Sequence, residues 1–255
     1  MRNERDAAAL VTGAARRIGR AIALDLARHG WRVAIHANTS GEQAEAVAEE
    51  IRAAGGKAHV VLADLRDPKA PAALAGETVR TLGPLRLLVN NASIFERDEI
   101  GTLDPTRFDD HFAVHVRAPC LLAEAMARVL DDGATGNIVN VIDQRVLKPT
   151  PNFFSYQLSK SALWTATVTL AQALAPRIRV NAIGPGPALA SPRQQQADFE
   201  AQCAALPLGR GPALEEFGRT IRFLIDTPSI TGQMIALDGG QHVAWQTPDV
   251  TGIVE

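Results

Sequence analysis

The stretch TGAARRIG, Thr12 to Gly19, joins an apolar run to a helical pattern. Gly13 follows the apolar run and Gly19 opens the helical pattern. In a turn of this kind, the backbone N–H groups and the dipole at the helix start can hold a pyrophosphate. Two glycines alone do not distinguish a dinucleotide turn from an ordinary strand-to-helix turn. Arg17 also stands where such turns usually carry their middle glycine, so the rest of the chain has to decide.

Seven short apolar runs are typical of strands buried on both faces of a parallel sheet. They are AAALVTG, WRVAIHA, KAHVVLAD, LRLLVNNA, GNIVNVID, IRVNAIGPG and GQMIALDGG. Helical patterns fall between them, near residues 17–29, 41–54, 67–82, 105–131, 155–175 and 213–226. The repeated strand–helix order predicts an α/β fold: one doubly wound Rossmann domain over residues 1–255, with a seven-stranded parallel sheet.

Residues 187–212 differ in texture from the rest of the chain, with four prolines, three consecutive glutamines and a weakly helical centre. An insertion of this kind late in an α/β fold is often a flap over a ligand. We expect residues 187–212 to cover the substrate, and a surface excursion without a role is the alternative.

Composition and charge favour a small-molecule ligand. Lys and Arg number 26 against 28 Asp and Glu, so the net charge of −2 gives no electrostatic reason to expect nucleic acid or an anionic membrane. Cys120 and Cys203 are too few for a disulfide framework, and no apolar stretch approaches the length of a membrane span. We expect a cytoplasmic protein with no membrane or nucleic-acid partner.

The end of the second predicted strand indicates which dinucleotide binds. An NAD site has Asp or Glu about 20 residues after the glycine turn, to hold the ribose 2′-hydroxyl. The chain has IHANTS there, from Ile35 to Ser40, with no acid. Arg16 and Arg17, with His36 and Ser40, could instead surround a 2′-phosphate, which favours NADPH. The alternative is that both arginines are solvated charges at a helix start.

Tyr156 and Lys160, in the sequence YQLSK, lie four residues apart and so share one helix face. An ammonium beside a phenol favours the phenolate, so we expect Lys160 to lower the pKa of Tyr156 and make it a proton donor to a carbonyl or imine. Tyr156 is the only tyrosine in the chain and follows the fifth strand, whose carboxyl end lies at the ligand crevice of such sheets.

Together, TGAARRIG, NNAS, YQLSK and NAIGPGP resemble, in this order and spacing, the short-chain dehydrogenase/reductase family over nearly the whole chain. The resemblance implies hydride transfer from a nicotinamide and, usually, a homotetramer. It implies that Asp64 contacts the adenine, that Asn91 and Ala92 line the cofactor, and that Pro185 and Gly186 lie by the nicotinamide. The cofactor set that it implies also contains Gly13, Ile18, Gly19, Leu65, Ser93, Tyr156 and Lys160.

Two positions depart from the family at large. Asp143 stands thirteen residues before Tyr156, where most members have serine, and His115 stands where most have an asparagine. With Arg17 and the sequence NNASIF, this combination resembles the pteridine reductase branch, including bacterial dihydromonapterin reductases. That resemblance implies that Phe95 stacks on a flat heterocycle against the nicotinamide, that Ser93 bonds its edge, and that Arg17 spans the cofactor phosphates and the pocket rim.

A catalytic role for Asp143 also follows from chemistry, because reduction of a C=N bond needs a proton at nitrogen, which a partly buried carboxyl can keep or relay. His115 is expected either to hold a water near Lys160 or to be a buried histidine bonded to backbone. His111 and His115 are spaced like two zinc ligands, but no third ligand accompanies them, so no metal is expected.

The predicted activity is NADPH-dependent hydride transfer to a dihydropterin. Tyr156, Lys160, Asp143 and His115 are the predicted catalytic residues, and Arg17, Ser93, Phe95, Asp143 and Tyr156 the predicted substrate contacts. One alternative is a carbonyl or alcohol oxidoreductase, which would share every cofactor residue and differ only in the pocket. Another is a non-catalytic NADP-binding sensor, although binding alone does not require the pair Tyr156 and Lys160.

Overall fold

A computed structural model describes residues 7–191 and 194–247, together with residue 251. Seven parallel strands form one sheet in the order β3-β2-β1-β4-β5-β6-β7. They are β1 Ala8–Val11, β2 Arg32–Ala37, β3 Ala58–Leu62, β4 Leu85–Asn90, β5 Gly136–Val141, β6 Ile178–Pro185 and β7 Met234–Leu237. The predicted fold class and all seven predicted strands are confirmed.

The helices cover both faces of the sheet. They are α1 Arg17–Arg28, α2 Gly41–Ala53, α3 Ala70–Leu82, α4 Pro105–Phe112, α5 Ala118–Val129, α6 Phe154–Leu174, α7 Gln196–Ala204 and α8 Leu214–Asp226. Short 3₁₀ turns occupy Gln144–Val146 and Gln241–Val243. None of the helices in the described residues is long and apolar enough to cross a membrane.

The single long helix predicted over residues 105–131 is wrong in detail. Asp104 caps α4 by accepting a hydrogen bond from the Arg107 amide, and Ala113–Arg117 then forms a wider π-helical segment before α5 begins. Such segments inside α-helices are rare and often lie at functional sites. Apolar spacing cannot reveal one, because the residues on either side keep helical patterns.

Two buried clusters, one on each face, hold the helices to the sheet. Ile22 of α1, Val47 of α2 and Phe217 of α8 pack on one face. Leu74 of α3 and Met126 of α5 pack on the other. The strand order reverses between β1 and β4, so a crevice opens at the carboxyl ends of these two strands. The chain leaves β1 there as the glycine turn and leaves β4 as the segment that begins at Asn91.

Candidate active site

Tyr156 and Asp143 are joined by a hydrogen bond at the carboxyl end of β5. The Tyr156 hydroxyl, in the first turn of α6, donates to Asp143 Oδ2 at 2.9 Å. Asp143 Oδ1 accepts the Arg145 backbone N–H at 2.8 Å, because Asp143 caps the 3₁₀ turn that follows β5. The carboxylate is therefore held by its own turn while it contacts the phenol.

The structure corrects the predicted effect of Lys160 on Tyr156. Burial raises the pKa of the Tyr156 phenol well above its ordinary value, the negative charge of Asp143 and the hydrogen bond to it raise the pKa further, and only Arg145 opposes the shift. Lys160 Nζ lies 5.7 Å from the centre of the phenol ring and donates to the Val141 carbonyl at 2.9 Å. Tyr156 is thus a protonated phenol at neutral pH.

Lys160 is buried beneath Tyr156, with 2% of its surface exposed. Burial lowers the pKa of its ammonium to about 8, and Asp143 partly opposes that shift. At pH 7 the ammonium form still predominates, so the site has one fixed positive charge below the phenol.

His115 lies in the π-helical segment and connects two parts of the site. Nε2 accepts the Ile94 backbone N–H at 3.1 Å and lies 3.0 Å from Ser93 Oγ, while Nδ1 lies 2.8 Å from Ser159 Oγ. The Ser159 hydroxyl donates to the Tyr156 carbonyl, so His115 Nδ1 has to be the donor to Ser159. Burial and the charge of Lys160 hold the pKa of His115 well below its ordinary value, so the ring is neutral. These bonds fit a positioning residue better than an acid or a base.

His111 lies beside His115, with ring centres 5.5 Å apart. Its Nδ1 contacts Ser155 Oγ at 2.7 Å, and its buried Nε2 has no hydrogen-bond partner among the residues that the structure describes. Across the described ranges, no group of three or more His, Cys, Asp and Glu side chains could hold a metal ion.

Phe95 and Phe153 form a stacked pair next to Tyr156. Phe95 stacks on Phe153 with ring centres 4.2 Å apart and planes inclined by 11°, and it meets Tyr156 edge-on at 4.7 Å. One face of Phe95, which the resemblance assigned to the substrate, is therefore covered by Phe153 in this structure. A cavity of about 360 Å³ adjoins the pair, lined by Phe95, Arg97, Phe153, Ser191, Gln194 and Asp198.

The two residues that follow β4 form hydrogen bonds with the glycine turn and hold it in place. Asn91 Nδ2 donates to the Thr12 and Gly13 carbonyls at 2.8 and 3.0 Å, and Thr12 Oγ1 accepts the Asn91 and Ala92 amides. Gly13 has a φ of +63°, and a Cβ on Gly19 would lie 2.3 Å from the Gly13 carbonyl oxygen. Both glycines are thus required by backbone geometry, and Asn91 and Ala92 lie against the turn.

Arg17 keeps the glycine-like backbone of the position that it occupies, with a φ of +53°. Its guanidinium donates to the Ala190 carbonyl at 2.8 Å and to the Leu189 carbonyl at 3.0 Å, near the start of the predicted flap. Arg17 therefore links the glycine turn to residues 187–212. Sequence reasoning missed this contact because backbone carbonyls far along the chain carry no residue signature.

The structure brings together only some of the residues that are predicted to surround a 2′-phosphate. Arg16 Nη2 donates to Ser40 Oγ at 2.7 Å on the surface beside α2. His36, by contrast, is 2% exposed: Nδ1 accepts the Gly13 N–H, and Nε2 donates to the Ala63 carbonyl. Both ring nitrogens of His36 are thus bonded to backbone. The structure therefore corrects the prediction that His36 contacts the 2′-phosphate.

The remaining predicted cofactor positions border the same crevice. Asp64 forms an ion pair with Arg66 at 2.7 Å, and hydrogen bonds from Arg66 lower the pKa of the Asp64 carboxyl. The motifs gave no sign of Arg66. Leu65 is buried, and Ile18 packs against the core. Pro185 pairs with Leu237, and a Cβ on Gly186 would lie 2.7 Å from Asp238 Cα.

A larger cavity of about 470 Å³ lies elsewhere, bounded by Trp31, Lys57 and the ends of α1 and α2. It adjoins the amino ends of β2 and β3 and contains none of the predicted site residues. Because ligands of doubly wound sheets bind at the carboxyl ends of the strands, the smaller cavity at Phe95 is the candidate active site.

Comparison with known proteins gives consistent matches along almost the whole chain. The family model described as short chain dehydrogenase matches residues 7–201. Two proteins with crystal structures, each described as FolM alternative dihydrofolate reductase 1 in complex with NADP, are 57% identical in sequence to this chain. The Brucella canis protein has a TM-score of 0.94 and the match covers 97% of this chain and 98% of that one. The Brucella suis protein has a TM-score of 0.95, with 98% and 100% covered.

A more distant relative has a different activity in its name. The 3-oxoacyl-[acyl-carrier-protein] reductase FabG of Staphylococcus aureus is 32% identical over 240 residues, which cover 92% of this chain and 98% of the relative. The resemblance inferred from the sequence motifs is thereby confirmed.

Proposed function

Because the chain belongs to the short chain dehydrogenase family, we propose that it is an NADPH-dependent reductase of a dihydropterin. The observation that carries the proposal is the 2.9 Å hydrogen bond between Tyr156 and Asp143, which places two proton-carrying oxygens together. The two FolM proteins, matched at 57% identity and holding NADP, support both the cofactor and the substrate class.

The residues of the crevice fit an NADP molecule. Gly13 and Gly19 add no side chain at the two points where the turn is most crowded, and α1 begins without a side-chain cap on its amides. These amides suit a pyrophosphate. The exposed Arg16–Ser40 pair suits a 2′-phosphate, in a place without the acid that an NAD site would have. Arg17, Asp64, Asn91 and Gly186 would border the rest of the molecule.

A bound NADPH supplies the hydride, and this chain supplies the proton. The Tyr156 phenol is protonated at neutral pH, so it can donate to the ring nitrogen of a C=N bond. Loss of that proton alone would leave a phenolate 2.9 Å from the Asp143 carboxylate, and two such negative charges disfavour each other. A proton from solvent therefore has to return to the pair after each transfer, and Asp143, whose carboxylate can accept it, is the group that passes it to Tyr156. The Lys160 ammonium stabilises the remaining negative charge.

Residues 187–212 serve as the substrate-covering flap in this proposal. Among the described residues that line the cavity, Ser191, Gln194 and Asp198 come from this segment. The helix α7 within it contains no buried residue, and Arg17 holds the segment near its start.

We further propose a cytoplasmic homotetramer. Both cysteines are free thiols, in keeping with a reducing compartment. Phe223, Val243 and Trp245 are apolar side chains that are more than half exposed, which supports a partner surface near the carboxyl end of the described chain. Light scattering coupled to size exclusion measures the mass of the assembly directly, and a monomer at micromolar concentration would contradict it.

The test of the activity is NADPH oxidation by the purified protein, with NADH as the comparison cofactor. We expect turnover with dihydrobiopterin, dihydromonapterin or dihydrofolate and none with simple ketones. Asp143→Ser should lower dihydropterin turnover about 100-fold through loss of the proton relay. Asp132→Asn, on an exposed loop, is the matched control. Unchanged turnover in Asp143→Ser would contradict the role of the carboxyl.

The second candidate is reduction of a carbonyl compound, which the FabG relative at 32% identity favours. The cofactor residues are compatible with both candidates, so the substrate panel has to separate them. Ketone turnover without dihydropterin turnover would select carbonyl reduction, and NADPH binding without any oxidation would select a sensor.

A further inference from the structure

Arg145 lies beside the aromatic pair of the cavity. It belongs to the 3₁₀ turn that begins directly after Asp143, and its side chain is half-buried. Its guanidinium carbon is 5.7 Å from the ring centre of Phe95 and 5.6 Å from that of Phe153. Within the described ranges the guanidinium makes no ion pair or hydrogen bond. Every N–H of this cation is therefore available to a ligand.

The two distances define where the charge lies. A cation above the outer face of a stacked pair would be much nearer to one ring than to the other, but here the two distances agree within 0.1 Å. The guanidinium is therefore beside the stack, midway between the two rings. Aromatic rings have negative faces and positive edges, so this position does not give the guanidinium the attraction that it would have over a face.

Phe153 differs from Phe95 in its backbone conformation. It has a φ of +58°, a left-handed conformation that residues other than glycine rarely adopt. It directly precedes α6, and its ring lies against Phe95, whose edge contact with Tyr156 spans 4.7 Å. A flat molecule in the place of the Phe153 ring would stack on Phe95 and would turn one edge towards Arg145.

We propose that Phe153 occupies the substrate position in this structure, and that Arg145 binds the acceptor edge of the planar heterocycle that replaces it. The inference rests on the proposed function and adds a substrate requirement to it. A heterocycle with an oxo oxygen beside a ring nitrogen has a negative edge, which a guanidinium can bind through paired in-plane hydrogen bonds. Arg145 is thus a specificity-determining residue.

The experiment measures binding to the NADP⁺-loaded protein by calorimetry, with two probes of equal size. One is pterin, and the other is the analogue whose 4-oxo group is replaced by an amino group, a donor in place of an acceptor. Arg145→Met should weaken pterin binding about 10- to 100-fold, as expected for loss of a charged hydrogen bond. It should change binding of the amino analogue less than threefold. Arg145→Lys should lose less than Arg145→Met.

Arg128→Met on the exposed side of α5 is the matched control, since Arg128 is 76% exposed. NADP⁺ affinity and the thermal midpoint show whether each variant is folded. If Arg145→Met binds neither probe and also loses NADP⁺, Arg145 supports the fold and the inference is overturned. Arg145→Lys, which keeps the charge and most of the side-chain volume, then distinguishes loss of contact from loss of structure.

Phe153→Ala tests the other half of the proposal. If the Phe153 ring occupies the substrate position, its removal leaves pterin affinity unchanged or raises it severalfold. Weaker pterin binding by Phe153→Ala would show that Phe153 is a wall of the site, which overturns this part.

Failure of the inference and failure of the proposed function give different results. Wild-type turnover of dihydropterin with equal pterin affinity in Arg145→Met overturns the role of Arg145 alone. Wild-type protein that neither binds pterin nor reduces a dihydropterin overturns both.

Discussion

The glycine turn and the aromatic end of the cavity lie at the same edge of the sheet but are stabilised in opposite ways. Thr12, Gly13 and Gly19 are fixed by hydrogen bonds to backbone from Asn91 and by glycine contacts too close for a side chain. Phe95 and Phe153 are held by stacking, although Phe153 has a left-handed backbone, and the nearby Arg145 has no charged partner within the described part of the chain.

This difference separates two tasks. The glycine turn is built in advance, because hydrogen bonds to backbone leave little freedom to rearrange. The aromatic end of the cavity is instead held by stacking, a contact that a ligand can replace. Changes in the turn should therefore alter cofactor binding and stability together, whereas changes around the cavity should alter substrate binding or catalysis and leave cofactor affinity unchanged.

The largest effect is expected from Tyr156→Phe, which removes the proton donor and little else. We expect kcat for the dihydropterin to fall about 1,000-fold, within the range of general acid catalysis. NADPH affinity, measured by fluorescence titration, should stay within twofold of the wild-type value. A parallel loss of NADPH affinity would contradict the separation between the two regions.

Gly19→Ala should break the turn itself. The new Cβ would lie 2.3 Å from the Gly13 carbonyl oxygen and 2.4 Å from Asn91 Nδ2. Overlap of this kind forces backbone shifts that cost roughly 1–3 kcal/mol, to be measured by urea denaturation together with NADPH affinity. Gly76→Ala in α3 is the matched control, because its Cβ would meet nothing within 4 Å. Equal stability of the two variants would show that the turn can relax.

The pH dependence of catalysis should follow Lys160. Its pKa of about 8 means that the ammonium is present below pH 8 and is lost as pH rises through that value. The Tyr156 phenol remains protonated in this range because its pKa is raised. We therefore expect kcat/KM to be level near pH 7 and to fall about tenfold per unit well above pH 8. Lys160→Arg keeps its charge and should remove the fall, while a wild-type profile that is level to pH 9.5 would contradict this assignment.

The smallest effect concerns the backbone of Arg17. Arg17→Ala and Arg17→Gly both lose the bonds to Leu189 and Ala190, but only glycine suits a φ of +53° without strain. The glycine variant should therefore be more stable than the alanine variant by about 1 kcal/mol in urea denaturation. Both should raise KM for the substrate severalfold, since residues 189–190 lead into the segment over the cavity. Equal stabilities would mean that the turn adjusts its backbone in the alanine variant.

The sequence predicted what depends on local pattern. Seven buried strands followed from runs of apolar residues, and the Asp143–Tyr156 pair followed from residue spacing in a recognisable family. Contacts between distant parts of the chain were not predictable in the same way. The stacking of Phe153 on Phe95 and the ion pair of Arg66 with Asp64 depend on how loops meet in space.

The direction of one pKa shift was wrong for a related reason. Two residues on one helix face suggested that Lys160 would act on the Tyr156 hydroxyl, but its ammonium bonds to the Val141 carbonyl instead. Burial of the phenol and the adjacent carboxylate then dominate the pKa of Tyr156. Spacing shows which side chains are neighbours, whereas the charge that each of them experiences depends on packing.

The hydrogen bonds from Arg17 to the carbonyls of residues 189 and 190 restrict the amino acid at position 17 but not those at positions 189 and 190. Any amino acid at position 189 or 190 presents the same oxygen, so these positions are free to vary among homologues, while position 17 needs a long side chain with two donors. We therefore expect no correlated substitutions between position 17 and positions 189 and 190. Mutational scanning should find tolerance on one side and intolerance on the other.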